Sequence, residues 1–155
     1  MEYLGDMGTK RWEIGMGLRD MQAALRIAPP CLCIGAITNI KDNELWAMGT
    51  TQSRPWEGSH FTHISIMPGS LIMEGMGQAA LAYLRLHERR EKEIVLYAID
   101  KASFYQPVKP KSTLEYHVRK TGTNKNKHMF SAEAAVSRKV VASALITLAI
   151  VEKLR

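Results

Sequence analysis

The sequence of 155 residues has few long apolar runs, and this limits the classes of protein to which it can belong. The tract 70–86 is interrupted by Glu74, Gln78 and Arg85, and the tract 140–151 is too short to cross a bilayer, so we expect no membrane partner. The first twenty residues mix acidic, basic and glycine residues without an apolar centre. We therefore expect no signal peptide.

Cysteine is also scarce: Cys31 and Cys33 are the only two, and they stand two apart in an apolar run. On a strand they would share one face, which is poor geometry for a disulfide, and two thiols are too few ligands for a structural zinc site. The sequence therefore predicts buried free thiols, no metal and a cytoplasmic location.

Aromatic residues make up only 7% of the chain, with three Phe and no interleaving of arginine with aromatic residues. This composition argues against binding of single-stranded nucleic acid, and no zinc-finger or RNA-recognition signature is present. The formal net charge of +6 suits an acidic partner. By itself, charge leaves nucleic acid, an anionic membrane and an acidic carrier protein all open.

What the chain does contain is a regular succession of strands around one long helix. Its length is that of one domain, which we predict over residues 21–155, with an N-terminal arm over 1–20. A short helix is predicted over 19–27, and a long helix over 70–89 is apolar nearly all round and therefore buried. Strands are predicted over 31–40, 45–52, 94–104, 113–120, 127–136 and 140–151. The order predicts an α+β fold in which an antiparallel sheet wraps around one buried helix.

One carboxylate, Glu74, interrupts the apolar surface of the long helix. Burial would disfavour its charged form and raise its pKa, which is typical of a general acid. A second interpretation stays open, in which Glu74, Gln78 and Arg85 form a narrow solvated stripe. Gly75 and Gly77 each cost roughly 1 kcal/mol of helix propensity, so packing or site geometry must offset them.

The start of the same helix offers a site for negative charge. Pro68, Gly69 and Ser70 open the helix, where the first backbone N–H groups lack intrahelical acceptors and the dipole is positive. A developing enolate oxygen would be stabilised there. A base on the preceding loop, such as His60, with an acid one turn into the helix would complete the equipment for a β-elimination.

These residues resemble a known family, the 3-hydroxyacyl-acyl carrier protein dehydratases of type II fatty acid synthesis (FabZ/FabA-like). That family carries the motif H-F-P-G-x-P-V-x-P-G-V-x-x-x-E-A-M-A-Q, and residues 60–78 here read HFTHISIMPGSLIMEGMGQ. The His, Phe, Pro-Gly, Glu, Met and Gln fall at the motif's spacings without a gap. Residues 99–112, IDKASFYQPVKPKS, are similar to a second family motif, I-D-x-A-R-F-x-R-P-V-x-P-G-D.

The resemblance implies a hot-dog fold and a role for each matching residue. His60 would take the α-proton of a thioester, and Glu74 would protonate the departing 3-hydroxyl. The Gly69 amide would bind the thioester carbonyl oxygen, and Gln78 would position Glu74. The resemblance implies no metal or redox cofactor, and it implies that the substrate arrives on the phosphopantetheine arm of acyl carrier protein.

The resemblance also implies partners. The family's site lies at a dimer interface, so a homodimer, a heterodimer with a paralogue, or a trimer of dimers is expected. Positive side chains are candidates for docking the acidic carrier protein, and ordinary solvated surface charge is the alternative for each of them. These candidates are Lys109, Lys111, Arg85, Arg89 and Arg90.

The loop before the helix departs from the motif. Thr62, His63 and Ser65 replace the family's Pro, Gly and Pro, which predicts a different backbone around His60. His63 is a candidate for shaping the substrate site, or a bystander. These departures fit a specialised dehydratase of a polyketide or polyene pathway. They also leave open an inactive partner subunit, and the fold leaves open a hot-dog thioesterase.

Overall fold

A six-stranded antiparallel sheet packs against one long helix in the computed structural model, which describes residues 3–7, 10–13, 17–49, 56, 59–87 and 92–152. In chain order the elements are β1 (Tyr3–Met7), β2 (Lys10–Glu13), α1 (Leu18–Leu25), β3 (Ile34–Lys41), β4 (Glu44–Gly49), α2 (Gly69–His87), β5 (Glu93–Phe104), β6 (Glu115–Asn124), β7 (Lys127–Val136) and β8 (Lys139–Val151). The strand order in the sheet is β3-β4-β6-β7-β8-β5. The predicted α+β architecture, with six strands and a long central helix, is confirmed.

The predicted N-terminal arm contains regular structure. β1 and β2 pair with each other in a separate two-stranded antiparallel sheet, and α1 begins at Leu18. None of the described helices is long and apolar enough to span a bilayer.

β6 shows how the alternation of the sequence builds the core. Leu114 just before the strand, and Tyr116 and Val118 within it, are buried, whereas Glu115 and Arg119 are exposed. Because successive side chains of a strand point to opposite faces, one face of β6 packs beneath α2 and the other meets solvent.

The closest approach between α2 and the sheet occurs at Gly75. A Cβ atom built on Gly75 would overlap the ring and hydroxyl of Tyr116, which is 1% exposed. Burial raises the pKa of the Tyr116 phenol above its ordinary value. Glycine is therefore required at position 75, whereas a Cβ atom at Gly77 would meet no atom of the described residues within 4 Å.

β5 is an edge strand with an apolar surface. β8 is its only partner in the described sheet, so one row of its backbone N–H and C=O groups is unpaired within the described residues. Five large apolar side chains of the strand are exposed: Val95, Leu96, Tyr97, Ile99 and Phe104. A long apolar edge of this kind is a template for pairing with another strand.

We expect the variants Gly75→Ala and Gly77→Ala to change stability in opposite directions. The methyl group added at position 75 overlaps the Tyr116 ring, and such overpacking costs about 1–3 kcal/mol. The same group at position 77 meets open space and gains roughly 1 kcal/mol of helix propensity. Urea unfolding at one fixed protein concentration measures both changes. Equal shifts in the two variants would contradict this account of the helix.

Candidate active site

The side-chain amide of Gln78 joins three parts of the molecule. Its Nε2 donates hydrogen bonds to the Cys31 carbonyl oxygen at 2.7 Å and to Glu74 Oε1 at 2.8 Å. Its Oε1 accepts a hydrogen bond from the Cys33 N–H at 2.8 Å. The side chain is only 2% exposed, so this network fixes an otherwise costly buried amide in one place.

The main chain of residues 31–33 determines which way the Gln78 amide points. A flipped amide would set its NH₂ group against the Cys33 N–H and its oxygen against the Cys31 carbonyl. The second Nε2 proton must therefore be directed at Glu74 Oε1, which acts as an acceptor. When Glu74 carries a proton, that proton belongs on Oε2.

Glu74 itself is exposed in the single chain, so the expected burial is not supplied by the described residues. The reason is that its face of α2 borders a cavity of about 510 Å³ that opens to solvent. The cavity wall combines residues of α2, β5 and β8 with one residue that follows α1: Ile27, Ser70, Met73, Glu74, Gly77, Gln78, Leu81, Ile94, Leu96, Ile99, Ile146 and Leu148. The alternative of a solvated stripe also fails, because Gln78 and Arg85 are buried.

α2 begins at Gly69, where the Phe104 ring lies over the backbone. A Cβ atom at Gly69 would come within 2.9 Å of Phe104 Cε1, so this position favours glycine. The Pro68 carbonyl accepts hydrogen bonds from the Leu71 and Ile72 N–H groups. The two N–H groups that precede them in the helix have no intrahelical acceptor and can bind an anionic oxygen.

His60 and His63 both lie on the loop that leads into α2, and both are exposed. The Trp56 carbonyl accepts hydrogen bonds from the Ser59 and His60 N–H groups, each at 3.2 Å. The Phe61 ring meets the His60 ring edge-on at 4.6 Å. Within the described part of the chain, no hydrogen bond joins His60 to Glu74.

The lysines proposed for docking flank the start of α2. Lys109 and Lys111 are both exposed. They follow Val108, whose carbonyl accepts a hydrogen bond from the Met67 N–H at 2.8 Å, and Met67 stands two residues before Gly69. The lysine loop therefore lies next to the helix start.

The prediction that Arg85 docks a partner is wrong. Its side chain is 4% exposed, and its Nη1 donates a hydrogen bond to the Lys92 carbonyl at 3.1 Å. Burial, with a smaller contribution from nearby Arg26, lowers the pKa of the Arg85 guanidinium. Arg89 and Arg90 lie outside the described residues.

The two cysteines differ in environment, contrary to the prediction that both are buried. Cys31 is exposed, whereas Cys33 is half-buried with its Sγ 3.9 Å from the Leu71 carbonyl oxygen. Burial, with Glu74 nearby, raises the pKa of the Cys33 thiol to about 12. Among the residues with a described position, no cluster of His, Cys, Asp or Glu side chains could hold a metal ion.

The backbone of residues 31–33 is the part of the site that sequence reasoning missed. Its contribution is one N–H and one carbonyl, which every residue type except proline offers in full. No pattern of residue types could therefore have predicted that the main chain of residues 31–33 contributes to the site. The open space at Gly77 did have a signal in the sequence. Gly77 is the second glycine in the helix that lowers helix propensity, and nothing else in the sequence explains it.

Comparison of the sequence with known proteins identifies similar proteins over most of the chain. A family model described as a FabA-like domain matches residues 33–145. The 3-hydroxyacyl-[acyl-carrier-protein] dehydratase FabZ of Sinorhizobium fredii is 34% identical over 144 residues, which cover 89% of this chain and 94% of that protein. The FabZ dehydratase of Streptococcus pyogenes is 32% identical, over 86% of this chain and 98% of that protein.

Solved structures share the fold at low sequence identity. The dehydratase heterocomplex ApeI:P from Xenorhabdus doucetiae superposes with a TM-score of 0.73 and 15% identity, over 86% of this chain and 91% of that one. A mutant thioesterase from Pseudomonas aeruginosa superposes with a TM-score of 0.65 and 16% identity, over 90% of this chain and 97% of that one. Both similarities support the hot-dog fold.

We expect the two thiols to react differently with iodoacetamide at pH 8. The thiolate is the reactive form, and a pKa raised to about 12 keeps Cys33 protonated at that pH, whereas Cys31 is open to solvent. Peptide mass mapping should find Cys31 alkylated and Cys33 intact in native protein, with both alkylated in urea. Rapid alkylation of Cys33 in the native state would contradict the described packing against α2.

Proposed function

The chain belongs to the FabA-like family, whose relatives named above are 3-hydroxyacyl-[acyl-carrier-protein] dehydratases, and we propose that it dehydrates a 3-hydroxyacyl thioester. The C2–H and C3–O bonds break, a C2=C3 bond forms, and water leaves. The product is the trans-2-enoyl thioester, and the reverse hydration uses the same groups. Because elimination of water involves no net oxidation or reduction, we propose that no redox cofactor and no metal take part, and that the thioester arrives on the carrier protein's phosphopantetheine.

The observation that carries this proposal is the hydrogen bond from Gln78 to Glu74 at the mouth of the apolar cavity. With Oε1 occupied as an acceptor, a protonated Glu74 presents its proton on Oε2, directed away from Gln78. A carboxylic acid held in one orientation can deliver that proton to a 3-hydroxyl, which then leaves as water. Gln78 is therefore a positioning residue, and Glu74 is the general acid.

The base and the oxyanion site come from the segment before and at the start of α2. His60 would take the C2 proton, and the imidazolium would return it to solvent or to Glu74 after water departs. The enolate oxygen formed in between would accept the Gly69 N–H at the positive end of the helix dipole. Exposed His63, three residues after His60, would shape the entrance for the substrate.

We further propose that the site is completed by a second chain. Within the described part of the chain, one edge of β5 is unpaired and carries exposed apolar side chains, and the Glu74 cavity opens beside it. Antiparallel pairing of two β5 edges about a two-fold axis would cover both features and bury Glu74. His60 of one chain would then act with Glu74 of its partner, and such dimers would assemble in threes.

The identity of the partner chain separates two candidate functions. Pairing of identical chains gives an active homodimer, whereas the altered loop at Thr62, His63 and Ser65 suits a subunit that needs an active paralogue. The fold similarity to a dehydratase heterocomplex supports the second candidate function, that of a subunit paired with an active paralogue. The same loop supports a polyketide or polyene pathway over general fatty acid synthesis. The two free thiols support a cytoplasmic location.

The exposed lysines next to the helix start support docking of an acidic carrier protein. Lys109 and Lys111 lie on the loop bonded to Met67, close to the proposed oxyanion site at Gly69. A chain with a formal charge of +6 attracts a negatively charged partner over a distance comparable with the Debye length.

We expect His60→Ala and Glu74→Gln each to lower kcat/KM for a 3-hydroxyacyl thioester by roughly 10²- to 10⁴-fold. If each site is shared between chains, refolding the two variants together restores activity. Half of the dimers are then mixed, and one of their two sites is intact, which gives about a quarter of the wild-type rate. Enoyl absorbance and free thiol are followed together.

Three results would count against the proposal. No restoration in the mixture would place both residues in one chain, and release of free thiol without enoyl product would indicate a thioesterase. A wild-type protein that is inactive alone but active with a co-purifying paralogue would favour the partner-subunit function.

We expect charge reversal at Lys109 or Lys111 to raise KM several-fold for a substrate carried on acyl carrier protein, because each variant loses attraction to the acidic carrier. The KM for the matching N-acetylcysteamine thioester, which has no carrier, should stay unchanged. Lys125→Glu, in the turn between β6 and β7, is the matched control and should leave both values unchanged. An equal effect of all three variants would reject a local docking site.

A further inference from the structure

Tyr116 is the largest of the fully buried side chains among the described residues, and its neighbours in the sheet are small. It pairs with Ala47 of β4 on one side and with Ala134 of β7 on the other. Both alanines are buried, and the Cβ atoms of directly opposite residues lie about 5 Å apart. Because these neighbours are short, the Tyr116 ring extends past them toward α2.

The tip of the Tyr116 ring lies against the backbone of α2 at Gly75. A Cβ atom built on Gly75 would overlap both Cζ and the hydroxyl oxygen of the tyrosine. Along the side of the ring lies Gly49, where an added Cβ atom would come within 3.4 Å of Cε2. Protein interiors are densely packed, so a ring confined in this way cannot shift unless the helix or a strand shifts with it.

This contact lies directly beside the proposed acid, because Glu74 immediately precedes Gly75. One turn further along the helix, Gln78 donates its hydrogen bond to the Glu74 carboxyl group. Burial, with smaller contributions from Cys33 and Glu74, raises the pKa of the Tyr116 phenol, which agrees with a ring tip close to the carboxylate. Gln78 thus directs the carboxyl group, and Tyr116 sets the distance between this turn of α2 and the sheet.

The sequence shows that the glycine and the tyrosine belong together. The family motif reads E-A-M-A-Q where residues 74–78 of this chain read EGMGQ. The methyl group of an alanine at position 75 would occupy the place that the Tyr116 ring tip fills here. Alanine at position 75 would therefore require a smaller side chain at position 116.

We propose that Tyr116 is a positioning residue for Glu74, because its ring tip beneath Gly75 determines how far this turn of α2 stands from the sheet. The proposal rests on the dehydratase function proposed above and adds a core residue to those that place its acid. A displacement of about 1 Å at a catalytic group can lower a rate by roughly 10²-fold. The distance from the acid to the substrate thus depends on a contact at another face of the helix.

The variants Gly75→Ala and Tyr116→Leu and their combination test the proposal. The added methyl group pushes the helix away from the ring, and the shorter leucine lets the helix approach the sheet, so each single variant displaces Glu74. We expect each to lower kcat for a 3-hydroxyacyl thioester by roughly tenfold or more, while KM changes by less than about twofold. In the double variant the leucine makes room for the methyl group, and kcat should return to within about threefold of the wild-type value.

Tyr83→Leu is the matched control, because it removes the same ring from a buried position of the same helix. Tyr83 is 3% exposed and donates a hydrogen bond to the Asp42 carbonyl at 2.9 Å, roughly two and a half turns after Glu74. This variant should unfold at lower urea concentration and keep the wild-type kcat. Tyr116→Phe is a milder second variant, which removes only the hydroxyl oxygen from the contact and should lower kcat by a smaller factor.

A spectroscopic measurement makes the test independent of catalysis. The side-chain amide of Gln78 donates to the Cys31 carbonyl and to Glu74, so its proton NMR signals, identified by their absence in Gln78→Ala, report any displacement of this turn. We expect the signals to shift in each single variant, to return toward wild type in the double variant and to stay in place in Tyr83→Leu. If wild-type protein converts no 3-hydroxyacyl thioester, the proposed function fails, and these signals still decide the role of Tyr116.

Two outcomes would overturn the proposal. Unchanged kcat and unchanged Gln78 signals in both single variants, with lower stability as in Tyr83→Leu, would make Tyr116 a purely structural side chain. A double variant whose loss of kcat equals or exceeds the product of the two single losses would show that residues 75 and 116 act independently.

Discussion

The hydrogen bonds of the Gln78 amide are the constraint on which the candidate site depends. They tie α2 to the chain segment before β3 and leave one proton directed at Glu74. Loss of this amide would leave a partly buried N–H and carbonyl of residues 31–33 without partners, at a cost of about 1–3 kcal/mol each. The orientation of the carboxylate is therefore coupled to the stability of the fold.

Helix α2 lies in three different environments along its surface. At Gly75 it approaches the sheet so closely that the Tyr116 ring touches its backbone, whereas at Gly77 it borders open space. Between these positions Met76 is completely buried in the core. The helix is apolar nearly all round, and its surface thus has three parts. One face packs against the sheet, one lies in the core and one borders the cavity. Only the first two are filled by the described chain.

The sequence predicted most of this fold because its patterns are local. The alternation around Tyr116 and the apolar circumference of α2 are set by residues close in the chain. Burial was harder to predict, because it depends on neighbours that periodicity does not identify. Arg85 is buried and donates a hydrogen bond to the Lys92 carbonyl, whereas Glu74 is exposed within the described residues. The main-chain partners of Gln78 lie more than forty residues away in sequence and left no pattern to read.

The edge of β5, which has no strand partner among the described residues, has a consequence for how such chains diverge after gene duplication. A backbone ladder is made of groups that all residues share, so it does not distinguish a chain from its paralogue. If chains pair along β5 as proposed above, recognition of self would reside in the side chains beside the ladder, among them Leu96, Tyr97 and Ile99. A few substitutions there would redirect assembly from identical to mixed pairs while each chain keeps its fold. One duplicate would then be free to lose its histidine or its acid.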